Sequence, residues 1–170
     1  MMLNMTNNIT SLNKMFLNCS SVDAEINYDL FRHCPNVTNI TSFAEGTLLR
    51  GGIYSRTSTY STEDSTTWGT FDFLPELEQA SNAFSSSALQ YIDDNAFAPI
   101  DGNYINLREA DYMFSNCFNL ESCQKVNRNN IIPDGQLHSK TFFTNLRNIG
   151  TFPRGMFLGC TKIRMTIDST

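Results

Sequence analysis

The sequence predicts an α/β solenoid in which short helices or turns alternate with short strands, stacked as repeats through one domain, residues 1–170. Two observations predict it. Four of the five cysteines stand in one local frame: Phe16-x-x-Cys19-x-x-Val22, Phe31-x-x-Cys34-x-x-Val37, Phe114-x-x-Cys117-x-x-Leu120 and Phe157-x-x-Cys160-x-x-Ile163. The phenylalanines also keep a period, with Phe16 and Phe31 separated by 15 residues, Phe143 and Phe157 by 14, Phe84 and Phe114 by 30, and Phe114 and Phe143 by 29. A unit of about 30 residues in two halves accounts for both.

Degenerate copies extend the series. Phe43-x-x-Gly46-x-x-Leu49 and Phe143-x-x-Leu146-x-x-Ile149 keep the aromatic and the aliphatic, and Phe84 with Leu89 follows more loosely. In one half, Leu12-x-x-Met15-Phe16 and Leu107-x-x-Ala110-x-x-Met113-Phe114 carry the apolar stripe of a short helix, repeated by Leu77, Ala80, Ala83 and Phe84. In the other, Ile26 to Phe31 and Phe152-Pro153 to Phe157 approach the Phe through turn residues, which leaves room for one tight turn. Val37-x-x-Ile40 and Leu146-x-x-Ile149 read as short extended pieces.

Such a unit cannot bury its apolar face alone, so copies stack and the core runs along the axis. The expected core is Phe16, Cys19, Phe31, Cys34, Phe43, Phe84, Phe114, Cys117, Phe143, Phe157 and Cys160. Cysteine serves as a small apolar filler where a turn approaches its neighbour, so the four frame cysteines are expected to be buried, free thiols. Asn18 and Asn116 are expected to bond the backbone of adjacent turns.

Composition bounds the function. A chain of 170 residues, 41% hydrophobic, can bury a core without disulfides or metal. The net charge of -5 and the lack of a basic stripe argue against nucleic acid. The apolar runs fall short of the roughly 20 residues that span a bilayer, and the start, Met1-Met2-Leu3-Asn4-Met5, lacks the pattern of a signal peptide. No catalytic, cofactor or metal site is expected. His33 and His138 sit in repeat contexts, and Cys34 beside His33 holds a core slot. Gly51-Gly52 lacks a phosphate-loop frame, and Asp93-Asp94 with Asp101-Gly102-Asn103 lacks the spacing of a calcium loop. The sequons at Asn4, Asn8, Asn18, Asn36 and Asn39 read as by-products of the repeat.

Residues 50–74 break the pattern and read as an inserted loop rich in Ser, Thr and Tyr. Within it Tyr54, Tyr60 and Trp68 are the candidate partner contacts, because aromatic side chains among small polar ones suit adaptable recognition. Tyr91 and Tyr104 also lie outside the Phe slots.

The blocks MFLNCSSV, LFRHCPNV, MFSNCFNL and MFLGCTKI resemble the core of BspA-like leucine-rich repeats, over most of 9–49 and 76–167. The resemblance implies a leucine-rich-repeat solenoid, irregular here because Leu-x-x-Ile-x-Ile-Pro strand stretches are few. It also implies a binding or assembly surface without enzymatic activity. Similar Asn-rich copies occur in structural proteins of tailed phages, and bacterial members resemble surface adhesins. The expected setting is therefore a virion, with other subunits as partners and a host-surface ligand as a further one; a bacterial cell-surface adhesin is the alternative. Leu3, Met5, Ile9 and Leu12 open the chain, and Met156, Phe157, Ile163, Met165 and Ile167 close it, without polar caps. Both ends are expected to pack against another chain or further repeats.

Overall fold

Three of the four Phe-x-x-Cys frames fold as two successive tight turns, and the fourth, from Phe157, keeps the first of them, with the N–H of Cys160 donating to the Phe157 carbonyl. The N–H of Cys19 donates to the carbonyl of Phe16 and that of Val22 to Cys19, and the same pair of bonds recurs from Phe31 to Val37, Phe114 to Leu120 and Phe143 to Ile149. The computed structural model describes residues 8–26, 30–54, 69–98, 103–127, 130–133, 136–146 and 148–166. Leu3, Met5, Tyr60, Trp68 and Ile167 lie outside them.

A second kind of turn occupies residues 13–18, 41–46, 81–86, 111–116 and 154–159, and these five turns stack in parallel. Lys14, Phe16 and Asn18 donate N–H bonds to the carbonyls of Thr41, Phe43 and Glu45; Ser42, Ala44 and Gly46 donate to Ser81, Ala83 and Ser85. Asn82, Phe84 and Ser86 continue to Asp111, Met113 and Ser115, then Tyr112, Phe114 and Asn116 to Arg154, Met156 and Leu158, all at 2.6 to 3.0 Å. Parallel bridges Ser11–Asn39, Asn39–Gln79 and Gln79–Glu109 hold the same register.

These segments are not the short helices that their apolar stripes predict. Lys14, Asn18, Ser42, Gly46, Asn82, Ser86, Tyr112, Asn116, Gly155 and Gly159 are left-handed, with φ of 53–77°. A left-handed residue at every fourth position breaks the α-helical path, and alternate N–H groups turn along the stack instead of back to residue i−4. Spacing of i, i+3 and i+4 fits both arrangements, so the stripe alone did not separate them. The α-helix among the described residues is α1, Ser139–Thr144.

After each stacked turn comes a strand. β1 (Glu25–Ile26), β2 (Arg50–Ile53), β3 (Tyr91–Asp93) and β4 (Glu121–Asn127) pair in parallel, and β5 (Asn130–Pro133) adds antiparallel to β4. β6 (Gln136–His138) pairs in parallel with β7 (Arg164–Thr166). Ile53 and Ile92 stand side by side in register and are buried, whereas Gly52, Tyr91 and Glu121 form the alternate row.

Successive turns are offset by 28, 40, 30 and 43 residues, as the pairs Thr10–Thr38, Asn39–Gln79, Ser85–Ser115 and Asp111–Arg154 measure. The unequal steps correct two slot assignments. Ala44, not Phe43, shares the ladder position of Phe16, Phe84, Phe114 and Phe157; Phe43 aligns with Met15 and fills the space among Phe16, Phe31 and Phe84. Phe157 belongs with the stacked turns despite Pro153, and its ring stacks on Phe114 at 5.5 Å as Phe114 does on Phe84 at 5.9 Å.

The ends of the 50–74 segment belong to the sheet and the core. Arg50–Ile53 is β2, and Phe71-x-x-Leu74-x-x-Leu77 repeats the double turn of Phe31 to Val37, with all three side chains buried. Tyr54 and Thr70 tie this segment's neck: the Tyr54 N–H donates to Thr70 Oγ1 at 3.0 Å and the Thr70 N–H to the Tyr54 carbonyl at 2.9 Å.

Candidate interaction surface

Three features on this scaffold bear on contact with other molecules: the column of thiols, the outer row of the sheet, and the two end turns. The thiols come from the residue three places after the Phe slot, which is Cys19, Thr47, Ser87, Cys117 and Cys160 along the ladder. Cys117 Sγ donates to the Phe84 carbonyl at 3.0 Å and Cys160 Sγ to the Phe114 carbonyl at 2.9 Å. Those carbonyls already accept one bond within their own turn, so the thiol fills a second lone pair. Ser87 Oγ meets Cys117 Sγ at 3.4 Å and joins the same column.

All five cysteines are free, but burial separates them. Cys117, Cys123 and Cys160 are buried, Cys34 is half-buried and Cys19 is exposed, against the expectation that all four frame cysteines share a core stripe. Cys19 follows the first described turn, and no earlier turn covers it among the described residues. Burial pushes the Cys117 thiol up, against a lowering bond from Ser87. Cys160 is pushed up to about 12, mainly by burial and then by the nearby Cys117. Burial raises Cys34 as well. Such thiols stay protonated and poorly nucleophilic near neutral pH. In dilute native protein, a maleimide is expected to label Cys19 rapidly and Cys117, Cys123 and Cys160 only after denaturation; fast labelling of Cys117 would contradict the register.

The raised thiols also set a pH dependence. Below the ordinary thiol value of about 8.5 both folded and unfolded chains hold the proton, and the stabilisation is fully present. Above it the unfolded chain loses its proton first, so stability falls as pH climbs toward about 12, the folded value of Cys160. Melting temperatures from neutral to alkaline pH are expected to decline, and less steeply in Cys160→Ser. A decline of equal slope in the variant would remove Cys160 as its source.

On the sheet, the backbone of Gly52 lies under the Tyr54 ring so closely that a Cβ there would sit 2.7 Å from Tyr54 Cζ. Tyr54 is 7% exposed, so it is a packing residue and offers little surface as the expected loop contact. Burial pushes its hydroxyl pKa up. Tyr91, half-buried in the outer row between Gly52 and Glu121, takes its place as the accessible aromatic of this face. Ion pairs bind neighbouring turns at the rim: Arg50–Asp23 at 2.8 Å, Lys162–Glu121 at 3.3 Å and Arg154–Asp111 at 3.0 Å. Exposed pairs of this kind contribute little stability, about 0–1 kcal/mol each.

No family model, curated protein or solved structure matches the chain. Its surface carries its own signals. The large apolar side chains exposed among the described residues include Met15 in the first stacked turn, Phe152 and Leu158 in or beside the last, and Met165 in β7. Phe43, Ala83, Met113 and Met156, which share the ladder position of Met15, are all buried. A cavity of about 220 Å³ opens between Phe71, Phe97 and Tyr104. Among the described residues no group of three or more His, Cys, Asp and Glu is placed to hold a metal, and no helix is long and apolar enough to cross a membrane.

Of the predicted core, Phe31, Phe43, Phe84, Phe114, Cys117 and Cys160 are buried; Phe16, Cys34, Phe143 and Phe157 are half-buried and pack against that core. Phe71, Phe97 and Phe142 were missed, and all three are buried. The signal for Phe71 was present as Phe-x-x-Leu-x-x-Leu, hidden by the reading of 50–74 as one insertion.

Proposed function

We propose that the chain is a BspA-like leucine-rich-repeat solenoid acting as a non-enzymatic protein-interaction module, set in a tailed-phage virion as a tail or tail-associated component. The observation that carries the proposal is the five-turn backbone ladder, whose first turn exposes Met15 at a position that the later turns bury and whose two end turns leave Phe16 and Phe157 only half-buried where Ala44, Phe84 and Phe114 are buried. Large apolar side chains left exposed at the ends of such a ladder favour a contact site. Its partners are other protein subunits, with Tyr91 and Glu121 on the outer row of the sheet available to a host-surface ligand. No nucleic acid is assigned, in keeping with a net charge of -5. The resemblance of the repeat itself favours one second reading, a bacterial surface adhesin.

Peptide mass spectrometry of purified virus particles and of cell-envelope fractions from the source separates the two. Recovery from particles at a fixed ratio to the other structural proteins is expected. Recovery from the envelope alone would overturn the virion setting and leave the adhesin.

A further inference from the structure

We infer that the first and last stacked turns are the two halves of one interface, through which copies of this chain associate head to tail. The inference rests on the repeat register of the proposed function and adds the identity of the partner.

The ladder has a polarity. Every turn donates N–H groups to the carbonyls of the turn that follows it, never the reverse, at the second, fourth and sixth positions of the row. The last turn therefore ends on a donor edge, Gly155, Phe157 and Gly159, and the first begins on an acceptor edge, Asn13, Met15 and Leu17. Neither edge has a ladder partner among the described residues. A donor edge cannot pair with another donor edge, so two last turns do not match, nor do two first turns. A last turn matches a first turn, in the spacing already repeated four times within the chain.

Side chains agree with the backbone. The first turn carries Met15-Phe16-Leu17-Asn18-Cys19 and the last Met156-Phe157-Leu158-Gly159-Cys160, while the inner turns place Glu45, Ser85 and Ser115 where the ends have Leu17 and Leu158. Inside the stack Ser85 Oγ meets Ser115 Oγ at 2.8 Å, so this column is a direct contact between turns. At the junction Leu158 of one copy meets Leu17 of the next, which covers a leucine now 60% exposed. Phe157 then meets Phe16 and extends the ring stack of Phe84, Phe114 and Phe157. The Cys19 thiol reaches the Phe157 carbonyl, as Cys117 reaches Phe84 and Cys160 reaches Phe114. Such a contact is heterologous, and it propagates unless a rotation closes it.

The test uses Leu17→Glu and Leu158→Glu, both tolerable in a stacked turn because Glu45 already occupies that column. Sedimentation of the wild-type chain is expected to show mass rising with concentration past the dimer, or to a closed ring. Each variant alone is expected to remain a folded monomer by circular dichroism. An equimolar mixture of the two, which joins one intact last turn to one intact first turn, is expected to give a heterodimer and nothing larger. A wild-type chain that stays monomeric, or variants that fail to complement, overturns the inference. Native circular dichroism in those same samples shows that the fold has survived, which leaves the repeat reading standing.

Discussion

Phe114→Ala is expected to lower the unfolding free energy by about 3–5 kcal/mol, the usual cost of emptying a buried aromatic site. Phe114 is fully buried and its ring lies between two others, 5.9 Å from Phe84 and 5.5 Å from Phe157, nearly parallel to both. Its carbonyl accepts bonds from the Cys117 N–H and the Cys160 thiol, and its N–H donates to Met156. Collapse around an alanine is resisted because the backbone on either side is fixed by the ladder. Phe118→Ala, four residues on and 59% exposed, is the internal control and is expected to change stability by well under about 1 kcal/mol. Urea unfolding of the variants measures the difference; equal losses for Phe114 and Phe118 would contradict the core assignment.

Gly46→Ala is the second large effect. Gly46 has φ +70°, a conformation that costs an L-residue about 1–2 kcal/mol, and a Cβ there would come within 2.6 Å of Asn18 Oδ1 on the preceding turn. Gly159, at the same ladder position three turns further along, repeats the arrangement against Asn116 of the turn before it. The clash adds to the backbone cost, so a loss above about 2 kcal/mol is expected. Asn18→Gly in the same chain removes the obstructing amide and tolerates the left-handed φ of 56°, so the double variant is expected to recover part of the loss. Gly150→Ala, where a Cβ meets nothing within 4 Å, is expected to be neutral. Loss of stability at Gly150 and none at Gly46 would contradict the stacking of turns.

The local frame was the legible part of the fold. Phe-x-x-Cys-x-x-Val folds as a double turn from Phe16, Phe31 and Phe114, and the phenylalanines of the frames lie in the core or pack against it. The offsets between copies were harder to read, because a 40-residue step from Asn39 to Gln79 and a 43-residue step from Asp111 to Arg154 interrupt a 30-residue period. That is how Phe43 took the slot of Ala44, and how Phe71 disappeared into a presumed insertion. Asn18 and Asn116 illustrate a subtler limit. Their sequence pointed to side-chain bonds with a neighbouring turn, whereas the left-handed backbone they tolerate is what the fold uses, with Oδ1 packed against Gly46 and Gly159.

Contact residues were less legible than core residues. Tyr54 looks like a loop aromatic, but a glycine two residues earlier lets its ring fold back onto the sheet. Cys19 and Cys160 share one motif yet differ in exposure, since burial at that position depends on the preceding turn and not on the local sequence.

Nuclear Overhauser contacts of the backbone amides test the stacked turns most directly. Short contacts are expected from the amide protons of Phe16, Ala44, Phe84 and Phe114 to the α-protons of Phe43, Ala83, Met113 and Met156, respectively, which lie across the ladder bonds. Their absence, with sequential helical contacts between residues i and i+4 running through 13–18, 81–86 and 111–116, would contradict it.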